Sequence, residues 1–389
     1  VRRLRTPLAL ALAGGALLAP PGQAATFTVA NTNDAAGSCP TPATCSLRQA
    51  LAGADAAPGS DAVEFDLPAG SVISLTAGPL VVDPLNGGDA VSISGPGAAA
   101  LTVRRDPAVA PDAIFLLAGG RGVTLSGFTI TGGMVGPFSG AAIEAFTRLD
   151  LDRMVIAGNT ADAGGGGASG ALVLVAPTTI RGSTLHANTV TNAGLDQSAG
   201  AIVNSDELLL VNSTITDNHV TGAGPSDGGA ILNSGFLSLV NSTVAGNSAE
   251  NGAGGIFGAP VTLANSILAG NSASPAPDCD GQLESQGHNI VGSPVGCTVV
   301  AVLGDMFGTA AVALNPLLGP LAGNGGPTPT MALLEGSPAR DAGSPATPTD
   351  LSPPLPPASV ACRTADQRGV SRPAGARCDI GAFEVAPPP

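Results

Sequence analysis

Leu208-Leu209-Leu210-Val211-Asn212-Ser213-Thr214-Ile215 returns 29 residues later as Leu237-Ser238-Leu239-Val240-Asn241-Ser242-Thr243-Val244. Three residues beyond each run stands an asparagine, Asn218 and Asn247. Related closures fall at Asn159, Asn188 and Asn271, with Gly133 in the corresponding place one unit earlier. The steps between them are 26, 29, 30, 29 and 24 residues. A repeat of that length fits one coil of a large β-solenoid.

Aligning the closures turns the sequence into columns. Ten residues before closure stand Val123, Leu149, Thr178, Leu208, Leu237 and Val261. Eight before it stand Leu125, Leu151, Ile180, Leu210, Leu239 and Leu263, so the two columns share one face of a strand. Three before it stand Ile130, Ile156, Leu185, Ile215, Val244 and Leu268. Keeping this third column inward requires a bend, where Gly127, Gly182, Asn212, Asn241 and Asn265 sit and only Arg153 departs from the pattern. A further strand is expected sixteen residues before closure, at Ile143, Leu172, Ile202 and Ile231, with small residues leading into it, as in Gly229-Ala230-Ile231. Three inward strands per turn predict an all-β, right-handed parallel β-helix. Leucine-rich repeats have a shorter unit and another leucine spacing, and the glycine and β-branched content excludes helical repeats.

Composition agrees. Gly 55 and Pro 34 supply turns, while 44% hydrophobic residues supply a core that a disordered chain lacks. Trp and Tyr are absent, so that core is aliphatic. A formal charge of −14, without a basic stripe, excludes a nucleic-acid partner.

The ends read differently from the middle. Arg2, Arg3 and Arg5, the apolar run Leu8 to Ala19 and the small residues near Ala24-Ala25 predict a signal peptide over 1–25, hence export. No segment is long and apolar enough for a transmembrane helix. Residues 26–60 are expected to form an N-terminal cap. There Ser46-Leu47-Arg48-Gln49 has the form of a capping box, and Leu47, Ala50, Leu51 and Ala54 place an apolar stripe on a short helix. Coils are expected over 61–321, about nine or ten of them at about 4.8 Å each, with an irregular C-terminal cap over 322–389. Six cysteines in an exported chain imply disulfides. Local pairing, Cys39 with Cys45, Cys279 with Cys297 and Cys362 with Cys378, is preferred among the possible connectivities because each pair brackets a loop. Zinc is the competing reading, but the spacings resemble no zinc motif. The Pro-rich run from Ser344 to Ser359 reads as an exposed loop.

Two stretches resemble a known family. Cys45-Ser46-Leu47-Arg48-Gln49-Ala50 looks like the CSLREA motif near the mature start of many exported bacterial repeat proteins. Asn324-Gly325-Gly326-Pro327, Gly336-Ser337-Pro338-Ala339-Arg340-Asp341, Asp366-Gln367-Arg368-Gly369 and Cys378-Asp379-Ile380-Gly381 are similar to the choice-of-anchor Q domain. The coils between resemble the pectate-lyase-like β-helix superfamily. The resemblance implies a fold and export, and in that family an anchoring signal commonly follows. The final Val385 to Pro389 lacks an apolar tail, so simple secretion is the expectation. No catalytic residues carry over.

The chemistry is sparse. The closure asparagines are expected to stack as a structural amide ladder. Asn212-Ser213-Thr214 and Asn241-Ser242-Thr243 match the glycosylation sequon, but the bacterial resemblance argues against its use. Asp150, Asp152 and Arg181 form one charged cluster, the candidate for catalysis or for Ca²⁺, with too few ligands for a lyase-type calcium site. An exposed Asp152–Arg181 ion pair between coils is the plainer reading. His186 and His219 are expected to be solvated. No cofactor is predicted, with Ca²⁺ as the one candidate. The sequence points to a non-enzymatic adhesion, glycan-contact or structural role toward polysaccharide or cell-envelope partners. A polysaccharide lyase or glycoside hydrolase is the alternative. Oligomeric state is not legible.

Overall fold

The computed structural model describes residues 24–39, 41, 44–83, 90–120, 122–164, 169–193, 198–222, 227–346 and 361–386. The predicted leader up to residue 23, most of the Pro-rich run and the last three residues lie outside these. The chain forms a right-handed parallel β-solenoid of about six turns. Irregular end strands carry one of its sheets to ten strands, while another has only five. The nine or ten coils expected are therefore too many, because only the middle rungs make complete turns.

One coil shows the plan. Strand Ile202–Asn204 runs into Glu207–Val211, both in the largest sheet; the chain bends at Asn212, continues as Thr214–Thr216, turns at Asn218 and finishes as His219–Gly222. The expected columns are the observed registers. Leu149 opposes Val123 and Thr178, Leu208 opposes Thr178 and Leu237, and Ile156 opposes Ile130 and Leu185. Leu172, Ile202, Ile231 and Ile256 line up in the same way. The apolar side chains among these are buried in one continuous core, and Thr178 is buried beside them.

The fourth strand is a correction to the three inferred per turn. Its inward residues are Val135, Ala161, Val190, Val220 and Ala249, each two positions past a closure, and they form a satellite core with Ala141 and Ala163. The cross-section narrows where the two limbs of a coil meet. A Cβ on Gly200 would stand 2.8 Å from His219 N and 3.0 Å from Asn218 Cβ, and one on Gly229 would stand 2.7 Å from Ser248 C. Only glycine permits that approach.

The bend is a left-handed residue in every regular coil. Gly127, Gly182, Asn212, Asn241 and Asn265 have φ of 69°, 55°, 46°, 47° and 49°, and Arg153 adopts 51° despite its side chain. Asparagine tolerates this region better than most residues.

The N-terminal end is sealed as expected. Helix α1 (Leu47–Ala56) buries Leu47, Ala50, Leu51 and Ala54, and Ser46 and Gln49 form a reciprocal capping box. Arg48 Nε donates to Asp34 Oδ1 at 2.7 Å and its Nη1 to Pro79 O at 2.8 Å, tying the cap to the first coils. Asp34 also accepts from the amides of Thr76 and Ala77. Burial would raise its pKa, but the Arg48 hydrogen bond and the two amides outweigh burial and hold it below the usual carboxylate range. All three disulfides have the local pairing: Cys39–Cys45, Cys279–Cys297 and Cys362–Cys378.

Two polar stacks thread the coils. Asn159, Asn188, Asn218 and Asn247 each donate Nδ2 to the Oδ1 of the next closure asparagine at 2.8–2.9 Å, and that oxygen also accepts the donor residue's backbone N–H. All are buried. At the bend, Ser183, Ser213, Ser242 and Ser266 form a second stack. Each hydroxyl donates to the carbonyl two residues back, and each accepts an N–H from the coil before. Stacking thus satisfies backbone groups that the turns would otherwise bury unpaired.

Candidate functional site

Parallel pairing ends at Met306–Phe307, and Leu318–Ala322 then pairs antiparallel with Thr330–Leu333. The chain beyond packs Leu333, Ala339 and Ile380 against Ile267, Ala269 and Ile290 of the last coils. It returns along the flank of the solenoid as a strap, held by the bend column. Asn212 Nδ2 donates to Ala365 O at 2.8 Å, while Asn241 Oδ1 accepts from Arg363 N at 3.0 Å and Asn265 Oδ1 from Ser344 N at 2.8 Å. The asparagines at the bend thus meet two demands, a left-handed backbone and a side chain that pairs with peptide.

Gln367 is the central peg. Its Oε1 accepts from Thr214 Oγ1 at 2.7 Å, and its Nε2 donates to Thr184 Oγ1 and Thr328 Oγ1, both at 2.9 Å. Beside it, buried Asp366 receives Arg368 Nε at 2.9 Å and the Glu384 amide at 2.9 Å, while the Arg368 guanidinium lies 3.5 Å from the Phe383 ring centroid. Arg372 is buried against Glu384 and donates to the carbonyls of Asp379 and Gly381 at 2.8 and 2.7 Å. The quoted C-terminal motif residues therefore build the strap's own polar core and its peg.

Between strap and solenoid lies an open cleft of about 650 Å³. The solenoid contributes Asp152, Arg153, Arg181 and the outward-facing Leu209 and Val211, and the strap contributes Arg363, Asp366 and Arg368. Four guanidinium groups face two carboxylates in a chain of net charge −14, all of whose cations are arginines.

The structure brings the candidate residues together but pairs them otherwise than expected. Asp152 and Arg181 are partners in register, yet Asp152 is taken by Arg153 at 2.8 Å, and Arg181 reaches Asp150 at 3.4 Å. Arg148 also lies 3.4 Å from Asp150. The expected Asp152–Arg181 pair is thus replaced, because the left-handed bend at Arg153 returns that side chain to its own neighbour. Among the described residues no three His, Cys, Asp or Glu side chains gather as a metal site requires. His219 is exposed, with Nδ1 2.7 Å from Ser248 Oγ. His186, in contrast, is half-buried, and that burial lowers its pKa against the opposing pull of Asp217. Sequence reasoning missed Arg153, read only as a break in the bend column, and Arg363 and Arg368, which sit some 200 residues away along the chain. The signal available was the odd arginine at the bend.

Comparisons with family models, with curated proteins and with solved structures return no match.

Proposed function

We propose that this chain is an exported β-helix acting as a non-enzymatic contact surface for extracellular glycan, with the cleft beside the strap as its binding site. The supporting observation is the state of the cleft's ionisable groups. Asp150 and Asp152 are engaged by arginines at 2.8–3.4 Å, on a frame whose turns are hydrogen-bonded from coil to coil. That makes a rigid, pre-organised surface, which favours binding. Three disulfides suit an oxidising compartment, and no described helix is long and apolar enough to cross a membrane. The motif resemblance to CSLREA and choice-of-anchor Q proteins supports export and a cell-surface or secreted setting.

A polysaccharide lyase or glycoside hydrolase is the second reading, favoured by the convergence of Asp152 and Arg181 on one cleft. A panel of neutral and acidic polysaccharides decides between them. Retention of polymer without chain shortening supports the contact role. Shortening abolished by Asp152→Ala or Arg181→Ala makes the chain an enzyme at this cleft.

A further inference from the structure

We propose that the C-terminal end of the solenoid is a self-association surface, on which two copies of this chain meet end to end through their last edge strands. The two ends of the coil stack differ. Helix α1 covers the first coils, but the last strands, Cys297–Val299 and Met306–Phe307, each pair on one side alone among the described residues. An open edge offers a row of N–H and C=O groups to another strand. Val299 and Phe307 pack against the core yet stay partly exposed. Beside them Val300, Leu303 and Val312 are 78%, 84% and 71% exposed.

Charge marks the same place. From Ser285 to Leu334 the only Asp, Glu, Lys or Arg is Asp305, in a chain with 29 acidic and 15 basic residues. Both oxygens of Asp305 are already engaged within the chain: Oδ1 accepts from Asn289, and Oδ2 from the Val302 amide at 2.9 Å. Interface cores are depleted of charge in this way. Two copies, each at −14, repel where their other surfaces meet, so the uncharged end is where they fit together. A lipid surface is a poorer match, because elements that lie on membranes set Lys or Arg beside their apolar residues.

Geometry fixes the number of copies. Helix α1 blocks the opposite end, so head-to-tail growth into a filament is closed off. A two-fold axis normal to the largest sheet brings Cys297–Val299 antiparallel to its counterpart, an isologous contact that closes at two. The Cys279–Cys297 disulfide holds that edge strand to the coil before it.

Sedimentation equilibrium of the full chain over a range of micromolar concentrations tests this. The variants are Val300→Glu with Leu303→Glu at the end and, as a control on the flank, Phe236→Glu at a side chain also 78% exposed. Circular dichroism and melting temperature check that each is folded. A dimer mass for the wild type and for Phe236→Glu, with a dissociation constant raised about a hundredfold or more in the double variant, bears the proposal out. A wild type that stays monomeric overturns it. So does a dimer that survives the double variant, or one that Phe236→Glu removes. Masses that climb past two copies with concentration overturn it too, since the contact is then not closed.

Discussion

Asn271 donates both its side-chain Nδ2, at 2.9 Å, and its backbone N–H, at 3.0 Å, to Oδ1 of Asp278. The amide ladder thus ends on a carboxylate. Each closure amide accepts from the coil before and donates to the coil after, so the last position needs an acceptor with no N–H of its own left over. Asp278 Oδ2 is used as well, by Ser293 N at 2.6 Å. The bend stack ends in the same way. Ser266 N donates to Asn289 Oδ1, and Asn289 donates to Asp305 Oδ1 through its backbone N–H at 3.0 Å and its Nδ2 at 3.2 Å.

Removing a middle rung should cost more than its own bonds. Asn218→Ala leaves the Asn188 amide and backbone N–H without their acceptor inside a buried stack. The expected loss is about 2–4 kcal/mol, read as a lower denaturation midpoint. Thr191→Ala, three residues past the Asn188 closure and outside the ladder, should change it little. Equal losses would mean that the ladder is not a source of stability.

Asp227 gives the protein a pH dependence. It is fully buried, burial raises its pKa to about 7 against the pull of the Ser198 amide, and its Oδ2 has no hydrogen-bond partner. The folded state therefore holds this proton more tightly than the unfolded chain, whose carboxyl titrates near 3.8. Between about pH 4 and pH 7 the unfolded state binds fewer protons, so stability falls as pH rises. Asp227→Asn keeps the acceptor and removes the charge. Its melting temperature should match the wild type near pH 4 and exceed it at pH 8, by the equivalent of about 4 kcal/mol. A gap that does not grow with pH would contradict the assignment.

Gln367→Ala should loosen the strap before the coils. Gln367 Nε2 shares its two hydrogens among Thr184 Oγ1, Thr328 Oγ1 and two neighbouring carbonyls, and its Oε1 accepts from Thr214. Faster hydrogen exchange at residues 362–384, with residues 202–216 still protected, is the expected pattern. Uniform change across both segments would show that strap and coils open only together.

Divalent metal should leave stability unchanged. Asp150 and Asp152 face arginines, and no third acid joins them among the described residues. Adding Ca²⁺ or a chelator should not shift the melting temperature; a rise of several degrees with Ca²⁺ would reveal a site elsewhere.

The inward columns were readable because burial imposes a period of two within strands and a fixed length per coil. Leu208, Leu210 and Ile215 carry that pattern without tertiary information. The fourth strand was missed although Val190 and Val220 repeat faithfully, because its single inward residue per coil offers no alternation to detect. The cleft was half legible. Counting places Asp152 and Arg181 in one column on adjacent coils, and that register holds. What counting could not supply was the rotamer that turns Arg153 onto Asp152, or the fold-back that carries Arg363 and Arg368 against coils far upstream.

A stack of coils is ordinarily a row of nearest-neighbour units, any of which can open with little effect on a distant one. Here residues 342–344 and 363–382 bond to Ser183, Thr184, Asn212, Thr214, Asn241, Thr243, Asn265 and His288. No coil in that span can swing away without breaking a bond to the same strip of chain. The strap therefore splices the C-terminal half of the row lengthwise, making it unfold as one cooperative block rather than fray coil by coil.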